Sequence, residues 1–153
     1  MLVDVYRHGG GRMTERVKQV CEGADLALIG PWGTGVLDRA EVTLCGDETA
    51  YPALARIVES LPEGAKANVL LSNLSGAQDY PFPERDGVQL TWMTAPEPSA
   101  FAFAAAALHR EQPMGFLWFA SEAAEVAEMR THIKAEGWPK ADVYAATYWT
   151  RPR

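Results

Sequence analysis

Three short clusters in this chain hold the residues able to do chemistry. Gly46-Asp47-Glu48-Thr49 follows the apolar run Glu41 to Cys45 and opens directly into a helical pattern. Ala120-Ser121-Glu122 follows the apolar run Gly115 to Phe119, and Tyr148-Trp149 closes the last apolar run. In an α/β sheet, ligands collect at the C-terminal ends of the strands. The backbone NH groups and hydroxyl of Thr49 can meet a nucleotide's phosphate or nicotinamide part. Glu122 can accept from a ribose or a carboxamide, and Tyr148 and Trp149 can stack on a planar cofactor ring. Each cluster also has a purely structural reading. Thr49 and Ser121 are good N-caps, acids near a helix start complement its dipole, Pro52 suits a first turn, and two aromatics can simply pack. Asp47 and Glu48 stand where a phosphate loop carries glycines, so no ordinary GxGxxG cradle is present.

A fourth cluster, His8-Gly9-Gly10-Gly11, precedes another helix and reads as an anion site or a flexible turn. His8, His109 and His132 have no metal-ligand spacing with one another or with a cysteine, so no zinc site is supported. No GxSxG or Cys/His arrangement suggests a hydrolase.

The elements that must position these clusters follow from hydrophobic period. Leu2–Tyr6 reads as a strand. The helix after it shows Met13, Val17, Val20 and Cys21 on one face, and Asp25–Gly30 reads as a strand closed by the turn PWGTG. From Val42 onward, strands alternate with helices. The strands are Val42–Cys45, Ala67–Leu74, Val88–Trp92, Gly115–Ala120 and Asp142–Trp149. Between them lie a helix with Tyr51, Leu54, Ile57, Val58 and Leu61 on one face, a helix capped by Ser99 with Phe101, Ala104, Ala105 and Leu108, and a helix capped by Ser121 with Val126, Met129 and Ile133. This alternation predicts a doubly wound five-stranded parallel sheet of the α/β class.

The 153 residues suffice for one domain with a real core. Apolar residues make up 48% and charged residues 22%, with a net charge of −6. No basic block suggests a nucleic-acid surface. The most apolar run, Ala100 to Leu108, is far short of a membrane span, and the N-terminus lacks an apolar leader core. Two cysteines, Cys21 and Cys45, on apolar faces fit a reduced, cytoplasmic protein.

The run GDETAYPALARIVESLP closely resembles the start of the NAD(P)H-binding domain in siderophore-interacting proteins, the flavin-dependent ferric-siderophore reductases, which typically read GDETALPAI there. The resemblance continues through LWFASEAAEVAEMRTHI, where the family has a strand ending in AGE, and VYAATYW, where the family commonly ends near GYW. Upstream, YRHGGGRMTERV and GADLALIGPWGTG resemble the last part of the family's flavin-binding barrel. The family implies a ferredoxin-reductase-like architecture, with residues 1–38 as a barrel remnant and 39–153 as the NAD(P)H-binding domain. It implies that NAD(P)H passes hydride to FAD and that the flavin reduces ferric iron in a siderophore. Carried over by position, Gly46, Asp47, Glu48 and Thr49 line the nicotinamide nucleotide, with Ser121 and Glu122 at the same cleft. Gly10, Gly11, Arg12 and Thr14 face the FAD pyrophosphate, and Tyr148 and Trp149 lie near the flavin.

The chain departs from the family pattern in three ways. Most of the flavin barrel, including its arginine-containing flavin motif, has no counterpart, although Met1 fits a complete chain. Ser121 and Thr147 stand where the family has glycine, which narrows a pocket or removes a close backbone approach. Thr150 stands where a basic residue often follows. Beside the reading that the chain is a truncated version of a longer protein, two readings of its role result. One is a reductase portion working with a flavin domain supplied elsewhere. The other is a non-catalytic relative that has lost flavin binding and serves binding, regulation or oligomerisation. Leu2, Val3, Val5, Leu26 and Leu28 lack barrel neighbours in either case, and a homodimer that covers them is expected.

Overall fold

A computed structural model of the chain describes residues 5, 12–25, 27, 37–74, 78, 80–94 and 98–151. The chain divides into two compact units, Met1–Gly35 and Val36–Arg153.

In the first unit the described element is helix α1, Arg12–Gln19. Its buried residue is Thr14, whereas Met13 and Val20 are 50% and 53% exposed and Cys21 is exposed as well. The expected apolar face therefore does not form. The helix ends at Gln19, so two of that face's four residues fall beyond its last turn. The expected glycine turn with Gly10 and Gly11 lies outside the described residues, and so do most positions of the strands expected at 2–6 and 25–30.

The second unit carries the sheet. Its elements are β1 (Glu41–Gly46), α2 (Tyr51–Ser60), β2 (Lys66–Asn73), β3 (Val88–Thr94), α3 (Pro98–Glu111), β4 (Phe116–Glu122), α4 (Ala123–Glu136) and β5 (Val143–Trp149). The order across the sheet is β3-β2-β1-β4-β5, and every pairing is parallel. The fold is the expected α/β class with a five-stranded parallel sheet. β1, β2 and β4 are almost wholly buried, as continuous apolar runs should be when both faces are covered. β3 and β5 are the half-exposed edges.

Alternation along the strands builds two cores. Val42, Leu44, Val69, Leu71, Phe116 and Trp118 share one face with Leu54 and Val58 of α2. Cys45, Leu70, Leu117 and Phe119 share the other with Phe101, Ala102, Ala105 and Ala106 of α3 and Val126 and Met129 of α4. Full burial of each large side chain contributes about 1.5–3 kcal/mol. No helix links β2 to β3 among the described residues. Tyr80 and Phe82 from that connection pack on the α2 face instead, and Tyr51 meets Tyr80 and Trp92 edge-on at centroid distances of 5.5 and 5.4 Å.

Helix starts differ from expectation in an instructive way. α3 begins at Pro98, so Ser99 sits inside its first turn rather than capping it. α4 is capped by Glu122, not Ser121, because β4 runs through to Glu122 and keeps Ser121 in the ladder. α2 follows Ala50, which makes no side-chain cap, so Thr49 is not its cap. Gly137 ends α4 in the left-handed conformation, φ 69°, its NH facing the carbonyls of Ile133 and Lys134.

From β1 the chain goes to β2 on one side, and β4 lies on the other. The C-terminal ends of β1 and β4 are therefore the point where the winding reverses, the position at which sheets of this kind bind ligands.

Candidate functional site

The turn from β1 into α2 is built on Asp47. Its backbone carbonyl accepts from Ala50 N at 2.9 Å, and its Oδ1 accepts from Thr49 N at 3.0 Å and Thr49 Oγ1 at 2.6 Å. A short acid that bonds the backbone two residues on is the usual chemistry of such a turn. Its second oxygen reaches across the sheet. Asp47 Oδ2 accepts from Ser121 Oγ of β4 at 2.9 Å and from Trp149 Nε1 of β5 at 2.7 Å. One buried carboxylate with four donors thus joins the ends of three strands. Gly46 just before it has no room for a side chain, since a Cβ there would stand 2.6 Å from Ala50 Cβ and 2.8 Å from Leu54 Cδ1.

Trp149 reaches Asp47 because of an irregularity in the β4–β5 register. Ser121 pairs with Thr147, but Glu122 pairs with Trp149, which skips Tyr148. The extra residue re-aims the strand end, as bulges do. Tyr148 is 43% exposed and meets Trp118 edge-on, and Tyr144, 45% exposed, stacks on the same Trp118 at 5.5 Å.

The other acids are also engaged. Glu122 Oε2 accepts from Ala124 N at 2.6 Å, and its Oε1 accepts from Arg151 N at 3.0 Å. Burial alone would raise the Glu122 pKa. The Arg151 and Ala124 amides and the Arg151 charge outweigh it and hold the carboxyl below its ordinary value. Glu48 Oε1 accepts from Leu74 N at 3.2 Å, which ties the turn to the end of β2, and burial raises its pKa. Tyr51 Oη donates to the Ser72 carbonyl at 2.7 Å from the first turn of α2.

Two residues of this cluster are not among the site residues that the sequence suggests. Glu125, one turn into α4, has Oε2 in hydrogen-bond contact with Ser121 Oγ, and burial pushes its pKa up to about 7. Arg151 supplies the amide on Glu122 and sets its guanidinium 5.9 Å from the Trp149 ring centre. The four-residue spacing from Ser121 to Glu125 was a usable signal for the first. Nothing local marked the second.

Gly46, Asp47, Glu48, Thr49, Ser121, Glu122 and Trp149 therefore gather at the C-terminal ends of β1, β4 and β5, with Tyr148 turned to the sheet face beside them. Arg12 and Thr14 lie in the other unit. Arg12 is exposed, and Thr14 Oγ1 is buried with no hydrogen-bond partner among the described residues. His109 is a core residue. Its Nδ1 lies 2.9 Å from Thr43 Oγ1, its ring meets Trp138 edge-on at 4.7 Å, and burial lowers its pKa. Among the described residues no group of His, Cys, Asp and Glu could hold a metal ion, and no helix is long and apolar enough to cross a membrane.

Residues 39–152 match the family model described as siderophore-interacting protein. The siderophore-interacting protein SipS from Aeromonas hydrophila is 27% identical, with a TM-score of 0.80 over 96% of this chain and 60% of that one. A siderophore utilization protein from T. fusca is 26% identical, with a TM-score of 0.77 over 95% of this chain and 59% of that one. A curated relative, the mycobactin import ATP-binding/permease protein IrtA of Mycolicibacterium thermoresistibile, is 30% identical over 111 residues, which are 72% of this chain and 12% of that protein. The chain therefore spans about three fifths of these solved relatives and about an eighth of the transporter.

Proposed function

The chain belongs to the siderophore-interacting protein family, and from that premise we propose that residues 39–153 form the NAD(P)H-binding part of a flavin-dependent ferric-siderophore reductase. The observation that carries this reading is the hydrogen-bonded cluster at the β1–β4 reversal, where one turn, one strand end and one cap converge. Its chemistry suits one end of the dinucleotide. Glu48 and Glu122 would repel a pyrophosphate, whereas carboxylates accept from a carboxamide or from ribose hydroxyls. Asp47 is saturated by four protein donors, so its part is to hold the turn rather than to touch the nucleotide. Glu48, half-buried at the mouth, is the carboxylate that would meet it. In the other unit, the buried Thr14 Oγ1, which has no partner among the described residues, is a donor of the kind a flavin pyrophosphate oxygen accepts from, so the residue fits FAD. When bound, the two cofactors would supply hydride transfer and single-electron delivery to ferric iron in a siderophore.

A titration with FAD, followed by NADPH and a ferric siderophore, tests the reading. The expected result is flavin bound by this chain, or by this chain with a separately supplied flavin domain, that NADPH bleaches and the ferric complex reoxidises. Absence of flavin binding in both formats would overturn it. The second reading is a non-catalytic relative acting as a binding or oligomerisation module. It draws on the exposed pair Tyr144 and Tyr148 on an edge strand, which suits a protein contact. A homodimer in light scattering, with no flavin bound, would favour that reading.

A further inference from the structure

Hydrogen counting at Ser121 leads to a protonation state, independently of whether a flavin binds. Ser121 Oγ lies within hydrogen-bond reach of two carboxylates, Asp47 Oδ2 and Glu125 Oε2. A serine hydroxyl has one hydrogen to donate and can accept through its lone pairs. With both acids ionised, one of the two contacts would be oxygen against oxygen with no proton between them. One acid must therefore carry a proton and donate to Ser121.

The donors around each acid decide which one. Asp47 also accepts from Trp149 Nε1, Thr49 N and Thr49 Oγ1. The indole and the amide have no acceptor capacity, so they demand an acceptor at both oxygens, and such bonds favour the ionised form. Among the described residues, Ser121 is the hydrogen-bond partner of the Glu125 carboxyl, which is buried. The charged groups that face Glu125 are Asp47 from the β1–α2 turn, Glu122 from the end of β4 and Arg151 from beyond β5. The two acids oppose its ionisation and the arginine favours it.

We infer that Glu125 is a neutral carboxylic acid that donates to Ser121 Oγ, that Ser121 donates its own hydroxyl hydrogen to ionised Asp47 Oδ2, and that this chain of hydrogen bonds positions Asp47 and holds the ends of β1, β4 and β5 together. Loss of the Glu125 proton turns the Ser121 hydroxyl toward the new carboxylate, withdraws one donor from Asp47 and loosens the tie to Trp149. Glu125 is thus a positioning residue whose proton sets the pH range over which this cluster keeps its shape.

The test is the Trp149 indole NH in the full chain, followed by NMR from about pH 5 to about pH 9 and assigned with Trp149→Phe. In the native protein its resonance should move in one step with a midpoint of about 7. Glu125→Gln keeps a donor for Ser121 but cannot titrate, so its resonance should stay at the acid-side position throughout. Glu125→Ala removes the donor and should leave it displaced at every pH. A native resonance that does not titrate in that range, or one that titrates unchanged in Glu125→Gln, would overturn the inference. Should either variant fail to fold, infrared difference spectra of the native chain decide. The inference requires a neutral carboxylic-acid carbonyl band that disappears across the same step, and absence of that band at the acid side of the step refutes it.

Discussion

The two edges of the sheet bear similar residues and treat them oppositely. At the C-terminal edge, Asp47, Ser121, Glu122 and Glu125 are buried and each is hydrogen-bonded. At the N-terminal edge, Arg39, Glu41 and Lys66 line an open hollow, and the ion pair Arg39–Asp142 is long at 3.8 Å with both side chains more than a third exposed. Charges at the wet edge cost little and contribute little. Charges at the dry edge are tolerable only because each has partners, and removing a partner strands the rest. The lesson is that acid content does not locate the site; desolvation with matched donors does.

The comparison breaks most visibly at Asp47. Asp47→Ala strands the Trp149 indole, the Thr49 amide and two hydroxyls, and should cost about 3 kcal/mol or more in urea unfolding. A loss under about 1 kcal/mol would mean that this edge is no better organised than the other. Next comes Gly46→Ala, whose new methyl collides with Ala50 and Leu54 and should cost about 1–3 kcal/mol by the same measurement.

Acidity sharpens the contrast within the C-terminal edge. Glu125 is raised to about 7, so between the ordinary carboxylate range and about pH 7 the native chain keeps a proton that the unfolded chain releases. Its contribution to stability is complete below that range and is lost as pH rises through about 7. Glu122 runs the other way. Its depressed pKa means a contribution present above the ordinary value and lost as pH falls through the depressed one. Urea midpoints should therefore fall from weakly acid to neutral pH in the native chain, more steeply than in Glu125→Gln. Glu122→Gln should remove part of the loss seen in strong acid. The smallest effect belongs to the exposed edge. Arg39→Ala should stay within about 0.5 kcal/mol of the native value and be insensitive to salt beyond that.

Much of the fold is legible from residue order. The apolar runs of β1, β2 and β4, the period of α2 and the turn chemistry of Gly46 and Asp47 are local signals. What fails locally is telling. Ser121 and Thr49 have the right type for N-caps, yet Glu122 and Ala50 occupy those positions, and both hydroxyls go to Asp47 instead. The face proposed for α1 fails because periodicity continues in the sequence past the point where the helix stops. Tyr148 and Trp149 are adjacent in the sequence and alike in chemistry, but the skipped pairing in β5 sends one to Asp47 and leaves the other on the sheet face.

The strand cores, the helices between them, the tight β1–α2 turn and the family likeness follow from residue order, because each rests on neighbours within a few residues. That Asp47 binds Ser121 and Trp149, 74 and 102 residues away, depends on the folded chain. Those bonds depend on strand order, on register and on one extra residue in β5, and no local pattern encodes the direction in which a side chain leaves the end of a strand.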